Sequence, residues 1–131
     1  MTDHVLVVED CAEHRELIRV IFDSARIPVV FAESAEEALT LLRDFRPKLI
    51  LMDIVLPRMD GLALTRKLRE DSALRTIPIV GFTAQAMEGD EQQAMAAGCD
   101  GYITKPVTLE TLNTKLLGWL DRPPVVPPHG N

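Results

Sequence analysis

The chain has 131 residues, of which 47% are hydrophobic and 26% charged, and these values are typical of one ordinary soluble domain rather than two. Twenty acidic residues against fourteen basic ones give a net charge of -6, and because the basic residues are scattered, direct binding to nucleic acid is disfavoured. No apolar run approaches the roughly 20 residues that a membrane helix needs, and the N-terminus leads into a strand-like run rather than a signal peptide, so we expect a cytoplasmic protein that enters no membrane.

Short aliphatic runs recur along the chain and predict buried strands, because each run is too short to form a helix. They cover residues 5–8, 29–31, 49–52, 77–80 and 101–104. Segments with the apolar spacing of helices lie between and after them, so strand and helix alternate five times. Strands that are apolar almost throughout indicate a sheet covered on both faces, and right-handed crossovers make its strands parallel. The pattern predicts a doubly wound α/β domain with a five-stranded parallel sheet and five helices.

Boundary residues support this division into elements. Ser34 with Glu37 forms a capping box at the start of the second helix, and Pro47 is expected to stop that helix before the third strand. Gly98 follows the fourth helix, where a left-handed C-terminal cap would lie. Thr108 is expected to open the last helix.

A change in composition near the C-terminus predicts the domain boundary. Residues 123–131 read Pro-Pro-Val-Val-Pro-Pro-His-Gly-Asn, a stretch that cannot continue a helix and has little to bury. We therefore expect one domain over residues 1–121 and a Pro-rich tail or linker over residues 122–131.

The cysteines and histidines suggest no metal site of their own. Cys11 and Cys99 lie far apart without CxxC spacing, and His4, His14 and His129 form no cluster. Neither a disulfide framework nor a zinc site is indicated.

Polar residues follow or end four of the predicted strands, at the edge where ligands bind in an open parallel sheet. The first strand leads into Glu9 and Asp10, the third into Asp53, the fourth into Thr83 and the fifth into Lys105. Three carboxylates, a hydroxyl and an ammonium group are therefore expected to share one edge.

This set of side chains suits phosphoryl chemistry with a divalent metal. Carboxylates from neighbouring strands repel one another unless a cation neutralises them, and oxygen ligands without histidine or thiolate favour Mg²⁺, with Mn²⁺ as a substitute. Lys105 offers a point charge to a phosphoryl oxygen and Thr83 a hydrogen bond. Asp53 is the candidate nucleophile, which would form an acyl phosphate.

At these positions the sequence resembles the response-regulator receiver family, which includes the chemotaxis receiver and single-domain cell-cycle regulators. The similarity rests on Val-Glu-Asp at 8–10, Leu-Met-Asp-Ile-Val-Leu-Pro-Arg-Met-Asp-Gly at 51–61, Gly-Phe-Thr-Ala at 81–84 and Tyr-Ile-Thr-Lys-Pro at 102–106. These segments occur in order within residues 4–120. The resemblance implies a flavodoxin-like strand order, 2-1-3-4-5.

The resemblance also implies a role for each residue of the site. Asp53 would be the phospho-acceptor, Asp10 a direct Mg²⁺ ligand, Glu9 an acidic partner acting largely through water, and the backbone carbonyl of Val55 a further ligand. Lys105 would contact the phosphoryl group.

Three further residues gain roles from the same resemblance. Thr83 and Tyr102 match the family's switch pair, in which the hydroxyl moves toward the phosphoryl group and the ring turns inward. The peptide between Lys105 and Pro106 matches a cis bond, which only X-Pro peptides reach cheaply.

The resemblance implies a signalling function. A sensor histidine kinase or a histidine phosphotransfer protein would phosphorylate the domain, which would catalyse only its own phosphorylation and dephosphorylation. The face formed by the fourth helix, fifth strand and fifth helix would then control a downstream protein, and the domain would be a monomer or a weak homodimer.

Three alternatives remain. A phosphatase that forms an aspartyl phosphate, like the haloacid-dehalogenase-like enzymes, needs a second acid two residues after the nucleophile, where this chain has Val55. A flavin-binding module would need a phosphate cradle after the first strand, where acidic residues would repel FMN. A receiver-like interaction module without phosphorylation is disfavoured by the intact set of site residues.

Overall fold

A computed structural model describes residues 4–54, 61–83 and 89–121, and within them five parallel strands form one sheet. The strands are β1 (Val5–Val8), β2 (Val29–Ala32), β3 (Leu49–Asp53), β4 (Ile79–Thr83) and β5 (Gly101–Thr104). Their order in the sheet is β2-β1-β3-β4-β5. The predicted strand order is confirmed.

Two strands differ from their predicted bounds in a way that matters for the site. β4 begins at Ile79 rather than two residues earlier, because Pro78 has no N–H to donate; its carbonyl accepts from the N–H of Ile50 at 2.9 Å. β3 and β4 also continue further than the apolar runs, so that Asp53 and Thr83 are the last residues of their strands. Both candidate site residues are therefore held by the sheet.

Helices cover the two faces of the sheet. The described helices are α1 (Ala12–Ser24), α2 (Ala35–Leu41), α3 (Gly61–Glu70) and α4 (Asp90–Ala97). The last helix is here called the C-terminal helical segment: it is α-helical over Leu109–Thr111, π-helical over Leu112–Leu116 and 3₁₀-helical over Leu117–Leu120. No helix in the described ranges is long and apolar enough to cross a membrane.

The core is divided by the sheet into two clusters. In β1, Val5 and Val7 pack with α1 and the C-terminal helical segment, whereas Leu6 and Val8 pack with α2, α3 and α4. This alternation follows from the two-residue period of a strand. All four side chains have no exposed surface, and each such burial contributes about 1.5–3 kcal/mol. The central strands are thus anchored on both faces, as the continuous apolar runs predicted.

The helix caps form at the predicted residues. Ser34 Oγ accepts from the N–H of Glu37 at 3.1 Å, and Thr108 Oγ1 accepts from the N–H of Thr111 at 3.1 Å. Gly98 ends α4 with a φ of 118°, a conformation that favours glycine. These three predictions are confirmed.

The end of α2 was predicted too late. The helix ends at Leu41 rather than at Pro47, and turns follow, in which the N–H of Arg43 bonds the carbonyl of Thr40 at 3.3 Å. The guanidinium of Arg46 donates to the carbonyl of Leu42, which satisfies one of the carbonyls that a helix end leaves open. The apolar spacing continues past residue 41 because residues of the following turns are buried, and not because the helix continues. The predicted tail over residues 122–131 lies outside the described residues.

Candidate functional site

Polar side chains from four strands meet at the carboxyl edge of the sheet. Glu9 follows β1, Asp53 ends β3, Thr83 ends β4 and Lys105 follows β5. The exposed fractions of Glu9, Asp53 and Thr83 are 0%, 3% and 5%. A buried carboxylate is stable only when it is paired, hydrogen-bonded or bound to a metal, so these contacts decide the chemistry of the site.

Three acidic side chains form one cluster. Glu9, Asp10 and Asp53 each offer a carboxylate oxygen, and these oxygens all lie within 4.8 Å of one another. Glu9 Oε1 is buried without a hydrogen bond of acceptable geometry, so it retains capacity to accept from a metal-bound water. The donor set consists of oxygen only and fits Mg²⁺ or Mn²⁺. Val55, whose carbonyl was expected to complete the set, lies outside the described residues.

Glu9 is held in place by backbone and side-chain donors. The N–H of Cys11 donates to Glu9 Oε2 at 3.0 Å, and Arg15 Nη1 donates to the carbonyl of Glu9 at 3.0 Å. One carboxylate oxygen is therefore fixed by the chain that leads into α1, while the other faces the cluster.

Lys105 bridges the acidic residues. Its Nζ lies 2.6 Å from Glu9 Oε1 as an ion pair and donates to Asp53 Oδ2 at 3.1 Å. The side chain is 11% exposed, and the ammonium lies 4.9 Å from the centroid of the Phe82 ring, within the range of a cation–π contact. The peptide bond between Lys105 and Pro106 is cis.

The protonation equilibria of this pair reflect both burial and charge. Burial alone would raise the pKa of Glu9, but the close contact with Lys105 and the N–H of Cys11 outweigh it, so the pKa of Glu9 lies below its ordinary value. Burial alone would lower the pKa of Lys105, but Glu9 and Asp53 outweigh it and raise that pKa. Both groups are therefore charged at neutral pH.

Tyr102 lies away from the acidic cluster, at the edge strand. It pairs with Gly81 in the ladder, while Thr83 pairs with Thr104. The ring of Tyr102 packs against the core that α2, α3 and α4 cover, and its hydroxyl is buried without a hydrogen-bond partner among the described residues. Burial raises the pKa of Tyr102, and the nearby carboxylates of Asp90 and Glu91 add to that effect.

A groove lies between α4, β5 and the C-terminal helical segment, on the face that was predicted to meet an output partner. Its volume is about 410 Å³. It is lined by Glu91, Tyr102, Ile103, Thr104, Glu110, Thr111, Thr114 and Lys115.

Sequence reasoning did not foresee two residues near the site. His14 belongs to no histidine cluster, yet its Nδ1 lies 3.0 Å from Lys105 Nζ; its place in the first turn of the helix that follows Glu9 and Asp10 was the available signal. Gly61 begins α3 against β3. A Cβ on Gly61 would lie 2.1 Å from the carbonyl oxygen of Asp53, so this close approach requires glycine.

Comparison with known proteins gives consistent matches over most of the chain. The model of the response regulator receiver domain matches residues 5–117. The polar-differentiation response regulator DivK of Brucella ovis is 40% identical over an alignment of 120 residues, and the match covers 88% of this chain and 98% of that protein.

Two solved structures show the same fold. The receiver domain of the sensor histidine kinase PA1611 from Pseudomonas aeruginosa, solved with a magnesium ion in its active-site cleft, is 30% identical with a TM-score of 0.83; the match covers 93% of this chain and 100% of that one. A chain in the co-crystal structure of Ypd1 and the receiver domain of Ssk1 from Saccharomyces cerevisiae is 26% identical with a TM-score of 0.79. That match covers 90% of this chain and 88% of the other.

Proposed function

Because this chain belongs to the family of response regulator receiver domains, we propose that Asp53 accepts a phosphoryl group from a phosphohistidine. The donor is a sensor histidine kinase or a histidine phosphotransfer protein. One observation carries the proposal: the carboxylates of Glu9, Asp10 and Asp53 lie within 4.8 Å of one another, and Lys105 contacts Asp53 at 3.1 Å. The site thus combines an acceptor, a metal-binding group and a cation for the phosphoryl oxygens.

The transfer exchanges one bond to phosphorus for another. A carboxylate oxygen of Asp53 forms the new O–P bond while the N–P bond of the donor breaks, and its electron pair returns to the imidazole nitrogen. Lys105 binds a phosphoryl oxygen, and Thr83 donates a hydrogen bond to another. Asp10, Asp53 and the carbonyl of Val55 would hold the metal directly, and Glu9 would act on it through water. Mg²⁺, when bound, offsets the negative charge that collects on the phosphoryl oxygens.

Hydrolysis of the acyl phosphate limits how long the domain stays phosphorylated. Water hydrolyses the O–P bond and restores Asp53, so the protein processes only its own phosphoryl group and acts on no outside substrate. While phosphorylated, the domain favours one of two pre-existing states through Thr83 and Tyr102. The groove beside Tyr102 then binds a downstream protein.

Two of the structural relatives support this assignment. The PA1611 receiver domain was solved with magnesium in its active-site cleft, and the acidic cluster here offers carboxylate oxygens, which suit that ion. Ypd1, in the complex with the Ssk1 receiver domain, is a histidine phosphotransfer signalling protein. A donor of that class fits the chemistry of Asp53.

The proposal includes the organisation of the chain. Residues 1–121 form the receiver domain, and residues 122–131 form a Pro-rich tail or linker. We expect a monomer or a weak homodimer in the cytoplasm, where ATP supplies the phosphoryl groups of histidine kinases.

Labelling with a small phosphodonor tests the function. With Mg²⁺ and acetyl phosphate, the intact protein should gain the mass of one phosphoryl group, and EDTA should prevent the gain. Asp53→Asn should abolish it, while Asp23→Asn should not, since Asp23 pairs with Arg19 on the exposed side of α1. Absence of the adduct in the wild-type protein would overturn the proposal, and steady turnover of phosphomonoesters would indicate a phosphatase instead.

A further inference from the structure

The ammonium group of Lys105 has a third contact that the acidic cluster does not supply. Its Nζ lies 2.6 Å from Glu9 Oε1, 3.1 Å from Asp53 Oδ2 and 3.0 Å from His14 Nδ1. An ammonium group carries three N–H donors and no acceptor. Two of these donors serve Asp53 and His14, and Glu9 contacts the ammonium group as an ion pair.

The contact with His14 has a defined direction. Because Lys105 can only donate, Nδ1 of the ring must accept, which assigns the ring hydrogen to Nε2. The same Nδ1 lies 3.5 Å from Glu9 Oε1. Two acceptors at that separation do not bond each other, and the ammonium between them accounts for their approach. His14 Nδ1 is thus an acceptor for the Lys105 ammonium group, which also contacts Glu9 Oε1.

His14 also lines an apolar cavity beside the charged site. Its side chain is 42% exposed and lines a cavity of about 220 Å³ together with Lys105. The rest of the lining is apolar: Leu17, Ile18, Phe82, Pro106 and Val107. Without an acceptor on His14, the third N–H of Lys105 would face this apolar surface or mobile water.

We propose that His14 is a positioning residue for phosphoryl transfer and acts by fixing the direction of the Lys105 ammonium. The inference rests on the proposed role of Asp53. When phosphorus bonds to Asp53, the N–H of Lys105 that points to Asp53 must donate to a phosphoryl oxygen instead. Glu9 continues to attract the ammonium group toward the buried end of the site. His14 holds the ammonium at the open end without adding a competing negative charge. Such orientation lowers the barrier because the interaction with the phosphoryl group is made without further rearrangement.

Two substitutions separate the acceptor from the bulk of the ring. His14→Asn keeps an acceptor, Oδ1, at the same number of bonds from Cα as Nδ1, whereas His14→Leu removes the acceptor and keeps apolar bulk. With acetyl phosphate and saturating Mg²⁺, we expect His14→Leu to slow labelling of Asp53 by about 3- to 10-fold, as for loss of one ordinary hydrogen bond, because the His14 side chain is partly exposed. His14→Asn should stay within about twofold of the wild-type rate. Equal rates for His14→Leu and wild type, or equal slowing by both variants, would overturn the role.

The ammonium signal of Lys105 provides a readout that needs no phosphorylation. In ¹⁵N-labelled, Mg²⁺-free protein at low temperature, the Lys105 NH₃⁺ resonance should be visible because its acceptors slow exchange; Lys105→Arg identifies it. We expect the signal to be lost or broadened in His14→Leu and retained in His14→Asn, and an unchanged signal in His14→Leu would contradict the inference. If wild-type protein takes no label, the proposed function fails, and loss of this signal still reports separately whether His14 holds Lys105.

Discussion

β3 and β5 carry the two regions that the proposed function connects, and they differ in burial and in how their polar groups are paired. All five residues of β3 are buried, and Asp53 at its end contacts Lys105. β5 is the edge strand: Tyr102 is half-buried and Thr104 exposed, and the Tyr102 hydroxyl lacks a described partner.

This difference indicates which region is expected to keep its arrangement and which is expected to change. Charges buried at the end of β3 are matched by opposite charge, so displacing one of them leaves another uncompensated. At β5, a hydroxyl without a partner among the described residues and partial exposure lower the cost of moving the ring. In the proposed function, the site that receives the phosphoryl group therefore lies at the end of a fully buried strand, and the face that would report it lies on a partly exposed edge strand.

The largest expected effect comes from the close packing behind Asp53. Gly61→Ala should lower the free energy of unfolding by about 3 kcal/mol, since overpacking a tight site costs about 1–3 kcal/mol or more and its Cβ would lie 2.1 Å from the Asp53 carbonyl. Gly118→Ala is the matched control, because a Cβ there meets nothing within 4 Å. Urea unfolding measures both. Equal stability of the two variants would show that β3 and α3 pack more loosely than described.

Removing the cation from the acidic cluster should have the next largest effect. Lys105→Met leaves Glu9 buried without its ion-pair partner, and we expect a loss of about 2–3 kcal/mol at pH 7, somewhat below the range for breaking a fully buried pair because Lys105 is 11% exposed. Urea unfolding in EDTA measures the loss. A loss below about 0.5 kcal/mol, as for an ordinary surface substitution, would mean that the cluster is not electrostatically coupled.

The pH dependence of stability should show the same coupling with a definite sign. The pKa of Glu9 is lowered from 4.5 in the folded protein, so its contribution is present above pH 4.5 and is lost as pH falls through the folded pKa. The pKa of Lys105 is raised from 10.5, so its contribution is present below pH 10.5 and is lost as pH rises through the folded pKa. The stability difference between wild type and Lys105→Met should therefore be largest between these limits. If the stability difference between wild type and Lys105→Met stayed constant as the pH falls below 4.5, the pairing of Glu9 with Lys105 would be contradicted.

The smallest effect is expected at β5. Tyr102→Phe removes a hydroxyl that is buried without a described partner, so the free energy of unfolding should stay the same or rise by up to about 1 kcal/mol, as relief of a desolvated polar group allows. Thermal unfolding compared with wild type measures the change. A loss of more than about 1 kcal/mol would show that the hydroxyl is bonded, and the contrast between the two regions would then disappear.

Much of the fold could be predicted from the sequence because it depends on one pattern, the alternation of short apolar runs with helical segments. Apolar runs such as Val5–Val8 are buried on both faces, so their composition alone indicates a covered parallel sheet. The caps at Ser34 and Thr108 are local and are equally readable. The end of α2 could not be read from the sequence. Leu42 is buried and so continues the apolar spacing of the helix, but it lies in a turn whose carbonyl accepts from the guanidinium of Arg46.

The candidate site divides in the same way. Glu9, Asp53 and Lys105 could be placed together because the carboxyl ends of parallel strands share an edge. The contact of His14 with Lys105 depends on how α1 packs over that edge, and the burial of the Tyr102 hydroxyl depends on packing against the core beside α4. Neither follows from a strand pattern. Gly61 could be recognised as structurally necessary only once the distance to the Asp53 carbonyl was known.

The most direct measurement of the central claim is the identity of the phosphorylated residue. After labelling with acetyl phosphate and Mg²⁺, borohydride reduction converts an aspartyl phosphate to homoserine, which tandem mass spectrometry locates in the peptide sequence. The account predicts homoserine at position 53 and aspartate unchanged at position 10. Homoserine at Asp10, or no reduced residue in a protein that has gained the phosphoryl mass, would contradict it.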